Sequence, residues 1–170
     1  MDANPKTMLA VILEKPDDRF IIKAIPVPEP NEQQLLVKME ATTINPSDFF
    51  HIKGHNFPTQ IGLEGFGTVV KAGSPAGEKF IGKKVAFWSM NSKTWAEYSV
   101  VGLNEFMEVD KDLPPEKGAC AYLNPVTSIG LIDTVKSGNH KGVIITTAST
   151  CSKIMFKLCK EEGIKTIAVV

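Results

Sequence analysis

The sequence predicts a mixed β and α/β chain: a small, partly open β-barrel followed by a single β–α–β unit. Three observations carry that expectation. Up to about residue 113, short apolar or alternating runs are separated by glycine- and proline-bearing turns, the pattern of a small barrel. At Pro114 the apolar spacing changes from that of strands to that of helices. Residues 142–170 then read strand, helix, strand, at a length that makes a right-handed crossover between two parallel strands. The expected division is 1–122 for the barrel and 123–170 for the rest.

Each element has a local reason. Residues 7–14, TMLAVILE, read as a strand, with 20–25, FIIKAI, as its hairpin partner. Pro26, Pro28 and Pro30 block any regular element and predict a loop. Residues 34–43 read as a long strand, Leu36, Lys38 and Glu40 alternating with Leu35, Val37 and Met39. Residues 72–77 are a turn, and 84–88, 96–101 and 106–109 are short strands. Pro115 to Ala121 read as a short helix. Asn124 is read as the cap of the next helix and Pro125 as its first residue. Val126, Ile129, Ile132 and Val135 predict one buried stripe along it, and Gly138 its end. GVIITT, 142–147, and KTIAVV, 165–170, read as buried strands. Lys153 to Gly163 joins them as an amphipathic helix, with Ile154, Met155, Leu158 and Cys159 on the apolar face.

The stretch 41–73 organises the first part of the chain. A strand ends in Asn45-Pro46-Ser47-Asp48. The residue before a proline is pushed out of the α region, and Pro46 suits the first turn of a short helix, 46–52. Asn45 is thereby placed at the lip between strand and helix, free to hydrogen-bond a ligand. Gly62-Leu63-Glu64-Gly65-Phe66-Gly67 follows, where glycines permit positive φ or close backbone approach. A barrel corner gives that pattern without any ligand, and for the glycines alone the structural explanation leads.

Composition excludes several classes. The chain has 170 residues, 19 basic and 19 acidic side chains and 43% hydrophobic residues, enough for one domain or one domain plus part of another. A formal charge of zero gives no electrostatic case for nucleic acid or an anionic membrane. No apolar run approaches the ~18 residues of a spanning helix, and the N-terminus lacks a cleavable signal pattern. The expected location is cytosolic. Three cysteines, Cys120, Cys151 and Cys159, without metal-ligand spacing argue against a disulfide framework. Cys120 and Cys159 are read as small buried hydrophobes. Cys151 falls in a turn and is read as structural before reactive. His51, His55 and His140 share no spacing and are read as surface residues.

N-P-S-D at Asn45–Asp48 and G-x-E-G-x-G at Gly62–Gly67 together resemble the medium-chain dehydrogenase/reductase superfamily, in its zinc-independent quinone reductase (zeta-crystallin-like) branch. The resemblance implies a GroES-like barrel followed by the first βαβ of a Rossmann domain. In the zinc alcohol dehydrogenases of that family a cysteine and a histidine stand where this chain has Asn45 and Leu63. An amide is a poor zinc ligand and a leucine none, so no zinc is expected. The four clustered cysteines of the family's structural-zinc lobe are absent from 85–101. Glu97-Tyr98 resembles an A-E-Y strand at a barrel edge, with Tyr98 structural.

The resemblance also implies a site. Asn45 would bind the nicotinamide side of NADPH, and Thr127, in N-P-x-T, its carboxamide or ribose. The residues alone leave Thr127 equally well explained as a threonine that caps its helix. Ala148, Ser149, Thr150, Cys151 and Ser152 would take the pyrophosphate. Phe50, Phe57 and Leu63 would wall a planar substrate, a quinone or a conjugated carbonyl. Two departures weaken the match. The loop 147–152 has no glycine where dinucleotide folds carry G-x-G-x-x-G, although Ser149, Thr150 and Ser152 offer hydroxyls. The sequence also reaches Val170 before the group that would read the ribose, whereas family members continue for roughly another domain.

These features leave three expectations. The first is the N-terminal portion of a zinc-independent NAD(P)H reductase of quinones or enones, inactive as a piece. The second is an inert truncated paralogue or fragment serving as a binding or assembly module. The third is an enoyl-thioester reductase, ranked lower because 49–57 offers no tyrosine as proton donor. For this chain the strands of 142–170 are expected to self-associate, giving a homodimer, or to be held loosely on the barrel.

Overall fold

The computed structural model describes residues 5–15, 19–52 and 56–169. The readings of residues 1–4, His55 and Val170, and of the His51 side chain, lie outside what it describes. The chain divides into two compact units, Met1–Tyr122 and Leu123–Val170.

The first unit is a curled, partly open GroES-like barrel made of two antiparallel sheets. One has the order β2-β1-β4, from β1 (Thr7–Leu13), β2 (Phe20–Pro26) and β4 (Thr59–Gln60). The other runs β7-β3-β5-β6-β8, from β3 (Gln34–Thr42), β5 (Glu64–Ala72), β6 (Lys84–Trp88), β7 (Tyr98–Gly102) and β8 (Phe106–Glu108). Between β3 and β5 the register shifts twice, at Leu36/Val37 and at Met39/Ala41. Such bulges strengthen local twist and let a sheet curl. Residues 95–97 stitch the two sheets together. Val11 N donates to Trp95 O at 2.8 Å, Glu97 N to Leu9 O at 3.0 Å, and Met39 N to Glu97 O at 2.9 Å.

The core lies inside this curl. Leu35, Val37, Val69, Val85, Phe87 and Val101 form its main cluster, and Met8, Leu36 and Tyr98 a second. Leu35, Leu36 and Val37 are all buried, so β3 is covered on both faces there; alternation resumes only at Lys38. Tyr98 is buried in the second cluster, as its structural reading requires. The glycines of the organising stretch answer to packing. Gly62 has φ +101°, and a Cβ on Gly67 would stand 2.1 Å from the Lys38 carbonyl oxygen. The short helix α1 (Pro46–Ile52) falls where Pro46 predicts it, whereas α2 is only Pro115–Gly118.

The second unit holds α3 (Leu123–Ser137), β9 (Gly142–Ile145), α4 (Thr150–Glu161) and β10 (Lys165–Ala168). β9 and β10 pair in parallel, Gly142 opposite Lys165 through Ile145 opposite Ala168. Ile132, Ile145, Met155 and Cys159 make its core. Three readings are corrected here. The strands read as buried are largely exposed: β10 along its whole length, and β9 except for Val143 and Ile145, because no second layer covers them among the described residues. Asn124 lies inside α3 and is not its cap. The buried line of α3 is Ser128 and Ile132, while Val126 and Ile129 are exposed. Apolar residues occur all round this helix, so spacing alone could not tell which face is covered, and the small Ser128 takes the tightest position. The apolar face of α4 is as read, with Met155 and Cys159 fully buried, although the helix begins three residues earlier.

Candidate functional site

A polar knot forms where β3 ends, α1 begins and β5 starts. Asp48 sits in the first turn of α1, where its Oδ2 accepts from Asn45 N at 2.7 Å, half of a capping box. Its Oδ1 accepts from Leu63 N at 3.0 Å, tying the helix to the strand that follows. Glu64 opens β5. Its Oε2 accepts from Thr43 Oγ1 at 3.1 Å and from Asn45 Nδ2 at 3.0 Å. Asn45 Nδ2 also donates to Thr43 Oγ1 at 2.8 Å. Both carboxylates are only 1% exposed. A buried carboxylate can only accept, so its environment must supply donors.

Asn45 is therefore not free, as the sequence suggested. Its amide nitrogen is engaged with Glu64 and Thr43; among the described residues its side-chain oxygen has no partner and is what remains for a ligand. Thr43 O takes the Trp95 indole N–H at 2.9 Å, and Thr42 Oγ1 lies 2.8 Å from Thr94 Oγ1. Beyond these hydroxyls opens an apolar groove of about 520 Å³, whose lining includes Leu9, Ile22, Met39, Ile44, Thr94 and Trp95. Trp95 also packs edge-on against Phe20 and Phe49, with ring centroids 5.8 and 6.1 Å away.

The three residues read as walls of a substrate pocket sit differently from one another. Phe50 is 71% exposed, Phe57 is half-buried and Leu63 is buried in the fold. Sequence reasoning missed the groove because its lining comes from several separate strands. Cys120 is likewise exposed rather than buried, since it follows α2 at the surface. Partial burial and the nearby Glu64 carboxylate push its thiol above the usual range.

In the second unit the hydroxyls of 147–152 pair with one another. Thr147 Oγ1 lies 2.6 Å from Ser152 Oγ, and Ser149 Oγ 2.9 Å from it. Ser149 caps α4 by accepting from Ser152 N at 3.2 Å. Ser152 is buried, which suits a small residue packing helix on strand. Ala148, Ser149 and Thr150 face outward. The first-turn amides of Thr150 and Cys151 have no carbonyl ahead of them within the helix, so they remain donors for an anion. Cys151 belongs to this turn of helix and not to a loop; its Sγ lies 3.4 Å from Ser128 Oγ. Through Ser128 the start of α3, with the exposed Thr127, is joined to the start of α4. Ser128 itself was missed; a small polar residue in an apolar helix was the available signal. Among the described residues no three His, Cys, Asp or Glu side chains gather as a metal site, and no helix is long and apolar enough to cross a membrane.

The sequence pattern of the alcohol dehydrogenase GroES-like domain matches residues 31–124. The chain belongs to that family. Within the medium-chain dehydrogenase/reductase superfamily, its relatives are oxidoreductases of two kinds. It is 32% identical to a mitochondrial enoyl-[acyl-carrier-protein] reductase of Caenorhabditis elegans, over 88% of this chain and 45% of that protein. It is 31% identical to a chloroplastic quinone-oxidoreductase homolog of Spinacia oleracea, over 74% of this chain and 43% of that protein. The crystal structure of a candidate NADPH:quinone reductase from Mesorhizobium loti superposes with a TM-score of 0.86 at 30% identity, over 98% of this chain and 55% of that one. The chain thus spans about half the length of the curated relatives it matches.

Proposed function

We propose that this GroES-like unit and the β–α–β unit after it belong to a zinc-independent, NADPH-dependent reductase of quinones or conjugated carbonyls. The Asn45–Glu64 contact carries the reading. The corner that holds a thiolate and an imidazole in zinc relatives here holds an amide turned onto a buried glutamate, beside a buried leucine. That donor set does not fit Zn²⁺, which takes thiolate, imidazole or carboxylate ligands. Polarising a carbonyl would fall to hydrogen bonds and to exclusion of water.

The nicotinamide nucleotide would supply the hydride. The residues present fit it in part. The outward Ala148, Ser149 and Thr150 and the amides of Thr150 and Cys151 suit a pyrophosphate, with Ser152 packing beneath. Thr127 is exposed near that turn, and the side-chain oxygen of Asn45 can accept from a carboxamide. NADPH is preferred to NADH because the Mesorhizobium structure bears that cofactor's name. A cytosolic location, and a homodimer formed through β9 and β10, belong to the same proposal.

The Caenorhabditis relative favours a second reading, reduction of an enoyl thioester. Against it, 49–57 supplies phenylalanines and no tyrosine to protonate the product. The test is NADPH oxidation by the longest natural form of the chain, with a naphthoquinone and with a crotonyl thioester, alongside elemental analysis for zinc. Quinone turnover without stoichiometric zinc supports the first reading. Preference for the thioester supports the second. Turnover of neither, with NADPH not bound, supports an inert module.

A further inference from the structure

A second cavity, of about 420 Å³, lies in the first unit away from the Asn45–Glu64 knot. It is lined by Ile12, Lys23, Ile25, Pro58, Thr59, Gln60 and Lys93. Among the described residues the charged groups of that lining are two cations, Lys23 and Lys93. The strand register explains how one of them got there. Ala10 faces Lys23 and Met8 faces Ile25 across β1 and β2. Lys23 and Ile25 therefore share the side of the sheet that carries the buried Met8, Ala10 and Ile12. A lysine on an edge strand guards against strand addition, but that does not account for the second lysine.

Lys93 is half-buried. Among the described residues no carboxylate pairs with it, and burial pushes its ammonium below the usual lysine range. A partly desolvated cation without a partner is costly unless something anionic visits it. Lys23 is paired with Glu14 at 3.3 Å, but both side chains are about half exposed, so that pair is weak and exchangeable. Gln60 adds a buried amide nitrogen that has no hydrogen-bond partner among the described residues. A smaller cavity of about 10 Å³, room for one water, adjoins through Thr59, Gln60 and Lys93; Ser92, whose hydroxyl has no hydrogen-bond partner among the described residues, also lines it. Asp48 lines that smaller cavity but not the larger one.

We propose that the larger cavity is an anion site for a small organic phosphate. The Lys93 ammonium supplies one positive charge, and Lys23 supplies a second when the anion displaces Glu14 from its weak pair; together they match a phosphate dianion better than a single carboxylate. Gln60 lines both cavities. Ile12, Ile25 and Pro58 offer apolar surface to the organic part, and the volume exceeds what inorganic phosphate fills. Free phosphate and a phosphate ester share the recognition chemistry, so the probes must separate them.

The experiment titrates the 170-residue chain with inorganic phosphate, with butyl phosphate and with butanol, following backbone and side-chain amide resonances. Saturable shifts at Gln60, Thr59 and Lys93, at least tenfold tighter for butyl phosphate than for inorganic phosphate, are expected. Butanol should give none. Lys93→Gln should weaken butyl phosphate at least tenfold without lowering the unfolding midpoint, because it removes a half-buried charge that pairs with no carboxylate among the described residues. Lys83→Gln, at a surface lysine paired with Glu108, should leave binding unchanged. Equal affinity for the two phosphates would overturn the organic-ligand assignment. Absence of saturable shifts, or equal losses in the two variants, would overturn the site. Should Lys93→Gln fail to fold, Lys23→Gln gives the same comparison.

Discussion

Asn45 Nδ2 donates to Glu64 Oε2 at 3.0 Å, so a neutral amide and a buried carboxylate close the corner between β3 and β5. The contact joins residues 19 apart and fixes the side chain that the organising stretch presents. Its chemistry can be inverted by one atom pair. Asn45→Asp removes both N–H donors and sets a second carboxylate against Glu64. Two carboxylates that close cannot both ionise cheaply. The variant should unfold at lower urea at about pH 7 and recover much of the deficit near about pH 5, where a shared proton restores a donor. Asn45→Ala should lose about 1–3 kcal/mol without that recovery. An aspartate deficit that stays constant between the two pH values would contradict the assignment.

Glu40 gives a second pH handle. Burial raises its carboxyl, but the hydrogen bonds from Lys84 and Thr68, with the charges of Lys84 and Lys38, outweigh this and hold it below the usual range. Thr68 Oγ1 donates at 2.7 Å, and Lys84 Nζ forms the ion pair. A carboxyl depressed in the folded state contributes stability that is present above its unfolded pKa, about 4.3. That contribution is lost as pH falls through the lower folded value. Glu40→Gln should therefore flatten the acid limb of a thermal-unfolding profile taken between about pH 6 and about pH 3. An unchanged acid limb would show that the pair contributes nothing.

What the sequence disclosed follows the range of the interactions involved. Pro46 and the pre-proline position of Asn45 acted locally, and α1 forms over the residues they indicate. The strands were legible because turn residues separate them. The partners of Asn45 were not, since Glu64 arrives from another strand. The covered face of α3 depended on Ser128 meeting Cys151, a contact 23 residues away that apolar spacing cannot encode. Leu36 read as alternating with Leu35 and Val37, yet all three are buried, because Met8 and Tyr98 cover Leu36 from the other face. The groove beside Trp95 was invisible for the same reason: its walls come from β1, β2, β3 and the 94–97 segment.

Ser149 links stability of the second unit to the anion-binding reading of its loop. Its hydroxyl caps α4 by accepting from Ser152 N. Ser149→Ala should cost about 1 kcal/mol, the usual worth of a serine cap. Hydrogen exchange should show faster opening of 150–161 and no change in β3 or β5. In the longest natural form the same variant should weaken NADPH binding, whereas Thr134→Ala, at the far end of α3, should not. Equal effects from both substitutions would remove the loop from the cofactor site. For the 170-residue chain itself, calorimetry should give weak NADPH binding or none; a micromolar dissociation constant would contradict this.

The last expectation concerns the two-stranded sheet. β9 and β10 pair only with each other among the described strands, so each has an unpaired edge. One side of β9 is covered: Val143 and Ile145 pack with Ile132, Met155 and Cys159, while β10 is exposed throughout. Ile144 and Ile167, which are register partners, are 66% and 61% exposed, and Val169 beyond them is 54% exposed. A two-strand sheet with an apolar open face and free edges is a template for another chain. The 170-residue chain should therefore self-associate through 142–169, its apparent mass by light scattering rising with concentration. Ile144→Lys with Ile167→Lys should return it to a monomer, since two like charges at paired positions repel a second copy. Lys165→Gln, at an already polar position on β10, should leave association unchanged. A wild-type monomer at every concentration, whose amides in 142–169 are as protected as those of β3 and β5, would show that the open sheet recruits nothing.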